Sequence, residues 1–178
     1  MAGNIFLVGL MGAGKTTIGR LLAKHLHKTF YDSDHEIERR TGVNIPLIFE
    51  VEGEAGFRKR ESAVIEELVH KDNVVLATGG GAVLALNNRE SLKSNGVVIY
   101  LRANVHELWQ RTRNDKNRPL LQGPDPLAKL KQLFTERDPI YVEVATHIIE
   151  TEGQTVNSII TRIEQLIRNS KVDANTSR

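Results

Sequence analysis

The chain has 178 residues, 40% hydrophobic and 26% charged, enough for one sizeable core and short for two independent globular units. Its 24 Lys and Arg stand against 22 Asp and Glu, a formal charge of +2, which excludes a nucleic-acid coat or a polybasic membrane anchor. There is no cysteine, so disulfides, thiolate nucleophiles and cysteine-ligated zinc are excluded; a reducing compartment, the cytoplasm, is expected. The apolar run from Ile5 to Met11 has no positive flank and no cleavage site, and no stretch of 18 apolar residues occurs, so neither secretion nor a membrane span is expected.

Ile5-Phe-Leu-Val8 is a short, continuously apolar run ending at Gly9, the pattern of a strand buried on both faces of a parallel sheet. Thr17 to Lys28 follows as a helix with Ile18, Leu21, Leu22 and Leu26 on one face. Phe30-Tyr31 is a further short strand, and Ser33 with Glu36 fits a capping box that would put Asp34 in a first helical turn. Glu61 to His70 reads as a helix built on Val64, Ile65, Leu68 and Val69. Strand-like runs recur at Val74–Ala77, Val97–Leu101 and His147–Ile149, and helices are predicted at Val105–Thr112, Leu127–Phe134 and Val156–Ile167. This alternation implies right-handed βαβ crossovers and a helix-covered, mostly parallel sheet. Asn114 to Pro126 holds three of the five prolines and is expected to be a lid or binding loop. Asp138-Pro139 looks like the N-cap and first residue of a new helix, and the polar stretch from Ser170 to Arg178 like a frayed tail.

Gly9-Leu-Met-Gly-Ala-Gly14-Lys15-Thr16 satisfies G-x-x-x-x-G-K-[ST] and lies between the first strand and the first helix, where such a loop must sit to bind phosphate. Small residues let backbone N–H groups turn inward on the phosphates, backed by the positive end of the helix. Lys15 is placed to neutralise β- and γ-phosphate oxygens, and the Thr16 hydroxyl to meet Mg²⁺. A GTPase switch is excluded, because no Asp is followed by Gly three positions on and no N-K-x-D occurs. A motor ATPase is disfavoured too, since the strands at Val74–Ala77 and Val97–Leu101 lead into Thr78-Gly-Gly-Gly81 and Arg102 rather than a carboxylate. The carboxylates appear instead as Asp32-Ser-Asp34. The six histidines are scattered and form no chelating pair.

Gly9 to Thr16, Asp32-Ser-Asp34, Gly56-Phe57-Arg58, Thr78-Gly-Gly-Gly81, Arg118-Pro-Leu-Leu121 and Glu136-Arg137-Asp-Pro139-Ile-Tyr141 together resemble the shikimate kinase family, over residues 5 to 155. The resemblance implies a P-loop, nucleoside-monophosphate-kinase-like three-layer α/β/α fold with a five-stranded parallel sheet in the order 2-3-1-4-5. One domain over residues 1–170 is expected, with an acceptor-binding region at 33–61, a lid at 112–126 and a disordered tail at 171–178. The implied activity is Mg²⁺-dependent transfer of the ATP γ-phosphate to the 3-hydroxyl of shikimate, by a monomer.

Residue by residue, the resemblance gives Asp34 to the acceptor hydroxyls and Asp32 to Mg²⁺ through water, beside Thr16. It gives Arg58 and Arg137 to the shikimate carboxylate, which a guanidinium fork suits, and it gives Gly79, Gly80 and Gly81, with Phe49 and Phe57 as a wall, to the ring. For Arg58 a pair with Glu54 or Glu61 on a helix is the competing reading. Gly12, Ala13, Gly14, Lys15, Thr16 and Thr17 would surround the phosphates. Arg111 would stack on adenine, Gln154 would touch the nucleotide, and Arg118 would swing from the lid onto the phosphates. Four basic residues against one acidic between Arg111 and Arg118 fit that use. Lys15, Asp34 and Arg118 are the expected catalytic residues. Leu10 departs from the proline common in the family's loop. Within kinases the competing readings are a gluconate or nucleoside-monophosphate kinase; outside them, a regulatory module that turns over ATP without an acceptor.

Overall fold

The computed structural model describes residues 3–176, with side chains for 3–170. Five parallel strands, β1 (Asn4–Val8), β2 (Thr29–Asp32), β3 (Val74–Ala77), β4 (Gly96–Arg102) and β5 (His147–Glu150), lie in the order β2-β3-β1-β4-β5 with helices on either side. β1 and β3 are buried at every residue, as their unbroken apolar runs require when both faces are covered. The edge strands β2 and β5 are only partly covered. Parallel pairing brings the C-terminal ends of β1, β2 and β3 to one edge of the sheet. Because β1 sits between β3 and β4, the chain leaves it at the point where the strand order reverses, the position at which such sheets bind ligands.

The first helix, α1 (Lys15–His25), starts two residues earlier than its periodicity predicts. Ile18 and Leu22 face the core, but Leu21 is 37% exposed, so the apolar stripe is narrower than expected. α2 (Ser33–Thr41) is capped by Asp32, whose side chain accepts from the N–H groups of Asp34 and His35. The capping box at Ser33 and Glu36 therefore does not form. Glu36 instead accepts from Arg39 and Arg40, 2.7 and 2.8 Å away, and Ser33 is free to bond elsewhere.

α3 (Ile45–Val69) is much longer than the helix predicted from Glu61, and it breaks at Gly53, whose φ of 70° lies in the left-handed region. A 3₁₀ turn (Ala82–Leu84) and α4 (Leu86–Asn95) connect β3 to β4, and α5 (Val105–Thr112) has the predicted bounds. α6 (Pro126–Val144) runs straight through Asp138-Pro139, where a new helix was expected. Buried Leu130, Leu133, Arg137, Tyr141 and Val144 recur on one face, and that packing outweighs the single hydrogen bond that proline removes. α7 (Val156–Thr176) continues into the segment read as a frayed tail, because extending a helix costs far less than starting one. Residues 177 and 178 of that segment lie outside the described residues.

Candidate active site

The loop after β1 wraps toward the first turn of α1. Gly14, at φ 93°, is the N-cap and offers no side chain, and no acidic residue occupies the first turn, so the N-terminal N–H groups of α1 keep their affinity for an anion. Lys15 lies buried among them and donates to the carbonyls of Gly9 at 2.6 Å and Leu10 at 2.9 Å. Burial first, and then the nearby Arg118 charge, lower its pKa to about 8. An anion arriving at the loop would reverse that, which makes the lysine a receptor in search of negative charge.

Asp32 joins this loop to the acceptor side. Its Oδ2 accepts from the Thr16 hydroxyl at 2.5 Å, and its Oδ1 accepts from the Asp34 N–H at 2.9 Å. Thr16 and Asp32 bring a hydroxyl and a carboxylate together, and no group of three or more His, Asp or Glu able to hold a metal occurs among the described residues. Hard oxygen donors this few suit a cation that takes its remaining ligands from phosphate and water, as Mg²⁺ does.

Asp34, in the first turn of α2, points one oxygen into a buried space where it finds no hydrogen-bond partner. Burial, then the Asp32 charge, push its pKa up to about 6, while Lys15, Arg118 and Arg58 pull it down. The backbone opposite is Thr78-Gly-Gly-Gly81. A Cβ on Gly79 would stand 2.7 Å from both Asp34 Oδ1 and Glu61 Oε2, so only glycine leaves room for the two carboxylates. The Gly79 N–H donates to the Ser33 hydroxyl at 2.9 Å, tying the start of α2 to the end of β3.

Two clefts meet here. One, with an open volume of about 460 Å³, is lined by Asp34, Phe49, Phe57, Arg58, Glu61, Gly79 to Gly81, Arg118 and Arg137, among others. The second, of about 720 Å³, is lined by Gly12, Gly14, Lys15, Thr16, Thr17, Asp32, Arg111 and Arg118, among others. Met11, Asp34, Gly79, Gly80 and Arg118 belong to both. In the first cleft the Phe49 and Phe57 rings lie 4.8 Å apart, and the Arg58 guanidinium sits 5.2 Å from the centre of the Phe57 ring. Arg58 donates to Glu61 at 2.8 Å and to Glu54 at 3.2 Å. The competing pairing with Glu54 and Glu61 thus forms, and the same side chain also lines the cleft. Arg137, 3% exposed, has one guanidinium nitrogen, Nη1, without a partner.

Sequence reasoning missed Glu61 and Ser33. Glu61 is 1% exposed, and burial raises its pKa to about 7 against the pull of Arg58. Its spacing of three from Arg58 is the available signal, and by itself that spacing has the pattern of a surface pair. Two predicted nucleotide contacts line neither cleft. The Ala13 N–H donates to the Leu10 carbonyl at 3.1 Å, and Gln154 caps its own turn, bonding the Glu150 carbonyl at 2.5 Å and Ser158 at 3.3 Å. Arg111 donates to the Gly12 carbonyl at 3.0 Å, at the mouth of the loop. Arg118 is held by Asp115 at 3.0 Å, where it faces both clefts.

Residues 11–168 match the family model for shikimate kinase. The chain belongs to the shikimate kinase family. It is 66% identical over 153 residues to shikimate kinase of Thiobacillus denitrificans, covering 86% of this chain and 84% of that one. With the shikimate kinase of Burkholderia lata it shares 61% over 160 residues, 90% and 87% of the two chains. Among solved structures, the shikimate kinase from Acinetobacter baumannii in complex with shikimate superposes with a TM-score of 0.94 at 54% identity, covering 96% of each chain. The kinase is therefore ATP-dependent. The expected sheet order stands, and no helix among the described residues is long and apolar enough to cross a membrane.

Proposed function

We propose that this kinase moves the γ-phosphoryl group of ATP to the 3-hydroxyl of shikimate, yielding shikimate 3-phosphate and ADP on the route to chorismate and the aromatic amino acids. The observation that carries the reading is the shared wall. Asp34, Gly79, Gly80 and Arg118 line both a phosphate-binding cleft and a cleft bearing two arginines, so a donor phosphate and an acceptor hydroxyl have a common meeting place.

On this reading Arg58 and Arg137 take the shikimate carboxylate, one oxygen each or forked. Phe49 and Phe57 cover the ring, and the glycines let it lie against backbone. With the acid end fixed, a ring hydroxyl falls to Asp34, whose unpartnered oxygen accepts its hydrogen bond and later its proton. The loose transition state of phosphoryl transfer needs little early deprotonation, so orientation is the larger part of that role. The N–H groups of the loop through Thr17 and the Lys15 ammonium hold the β- and γ-phosphates. Arg118 spreads the charge of the transferring group and, with the lid, keeps water from it. Arg111 sits where a base can stack on its guanidinium plane. Thr16 and Asp32 would hold Mg²⁺, which when bound neutralises phosphate charge. A reducing compartment, the cytoplasm, agrees with the cysteine-free sequence, and the monomer stays what the family resemblance implies.

A coupled ADP-release assay across shikimate, gluconate and a nucleoside monophosphate tests this. Shikimate alone should stimulate turnover, with acceptor-free hydrolysis at least about tenfold slower. Stimulation by gluconate or the nucleotide instead would assign a different acceptor. Equal rates with and without acceptor would make the chain a nucleotide-hydrolysing module.

A further inference from the structure

Arg58 and Arg137 line the same cleft but are held in opposite ways. Arg58 is matched by carboxylates, with Glu61 and Glu54 both within hydrogen-bonding distance. Arg137 makes no ion pair among the described residues and is nevertheless buried. A buried cation with no carboxylate bonded to it, and only the charge of Glu61 felt at longer range, must be held by neutral dipoles or wait for an anion. The neutral group beside it is Tyr141, one helical turn further along α6 and on the same buried face, with Gly80 as their common neighbour. Its side chain is fully buried, and its ring lies 4.9 Å from that of Tyr100 on β4. Its hydroxyl donates to the Gly80 carbonyl. Burial pushes the phenol up to about 12, with the Arg137 charge pulling the other way. A phenol has one donor and two acceptor positions, so it can give its proton to Gly80 and still receive an N–H from Arg137.

We propose that Tyr141 is a positioning residue for the acceptor carboxylate, its hydroxyl tying the Arg137 guanidinium to the Gly80 carbonyl so that cation and glycine loop meet the acid as one unit. A carboxylate at this place would have held Arg137 equally well and cancelled its charge. A neutral phenol fixes the guanidinium while leaving its charge for the substrate. It also satisfies the carbonyl of Gly80, in the glycine run that lines the cleft. A Cβ on Gly80 would lie 3.5 Å from Arg137 Nη1, an ordinary contact distance, so the guanidinium and the glycine run are neighbours.

This rests on the reading of Arg137 as a carboxylate clamp, and a double-mutant cycle separates the two claims. Initial rates are measured for the wild type, Tyr141→Phe, Arg137→Ala and the double variant. The acceptors are shikimate and an analogue with hydroxymethyl in place of the carboxylate. Removing one hydroxyl should raise the shikimate KM roughly three- to tenfold, with the ATP KM unchanged. In the Arg137→Ala background the same change should cost less than about twofold, and the analogue should not notice it. KM does not depend on the fraction of enzyme folded, so a loss of stability in Tyr141→Phe leaves the test readable. An equal rise in both backgrounds, an equal rise for both acceptors, or an unchanged shikimate KM in Tyr141→Phe would overturn the role given to Tyr141. An unchanged shikimate KM in Arg137→Ala would overturn the clamp itself.

Discussion

A methyl group on Gly79 is the smallest perturbation that reaches the centre of the site. It would stand 2.7 Å from Asp34 Oδ1 and 2.7 Å from Glu61 Oε2, where ordinary contact begins at 3.4 Å. Each oxygen must therefore retreat by about 0.7 Å, or the glycine strand must move by as much. Neither carboxylate gives way freely. Glu61 is buried and bonded to Arg58 at 2.8 Å, and Asp34 hangs from a backbone N–H held by Asp32. Misplacing a reacting group by about 1 Å costs on the order of a hundredfold, so Gly79→Ala should lower kcat by roughly ten- to a hundredfold. Overpacking should also cost about 1–3 kcal/mol of stability. The phosphate loop is untouched, so ADP affinity by calorimetry should stay within about twofold. Gly80→Ala is the contrast, since its methyl would lie 3.4 Å from the Met11 nitrogen and 3.5 Å from Arg137, and it should lose less. Coupled ADP release at saturating ATP, with shikimate varied, measures the effect. Gly79→Ala with wild-type kcat, or with intact kcat and lost ADP binding, would refute the placement of Asp34.

Arg58→Ala should raise the shikimate KM roughly ten- to a hundredfold, the size of a lost charge-assisted bond, while ADP binding measured by calorimetry barely moves. The kcat/KM for shikimate should fall about tenfold per pH unit below pH about 6, because protonation of Asp34, raised to about 6, removes the acceptor for the substrate hydroxyl; a rate profile flat from pH 7 to pH 5 would contradict this. In the ligand-free protein the same shift has the opposite sign for stability. A carboxylate raised from 3.8 to about 6 binds its proton more tightly folded than unfolded, so folding is penalised above pH 6 and the penalty fades as pH falls toward 3.8. Asp34→Asn should accordingly raise Tm at pH 8, abolish turnover, and lose its advantage near pH 4; thermal melts across that range check it.

The phosphate loop was legible because it is continuous in sequence and its context, strand before and helix after, is local. The sheet order came from the resemblance, whereas the strands themselves announce their burial as apolar runs at Ile5–Val8 and Val74–Ala77. What the sequence hid were interactions across the fold. Ser33 and Glu36 carry a valid capping box, but Asp32 outcompetes Ser33 for the cap, and Ser33 bonds Gly79, 46 residues away. Pro139 reads locally as a helix start, and only the buried face from Leu130 to Val144 reveals that α6 passes through it. The front half of α3 was invisible because Gly53 and Gly56 look like breakers, and Glu61 because a glutamate three residues from an arginine has the pattern of a surface pair. Gln154 came by resemblance alone and Ala13 from the loop motif, and the hydrogen bonds of both stay within their own turns.

The central claim is that the acid end of the acceptor lies between Arg58 and Arg137 while a ring hydroxyl reaches Asp34 beside the phosphate loop. A crystal structure of the kinase with ADP and shikimate bound tests it most directly. The account requires both guanidinium groups on the carboxylate and the 3-hydroxyl on the Asp34 oxygen that has no partner in the free protein. A ring turned the other way, with its carboxylate toward the phosphate loop or bonded to neither arginine, would contradict it.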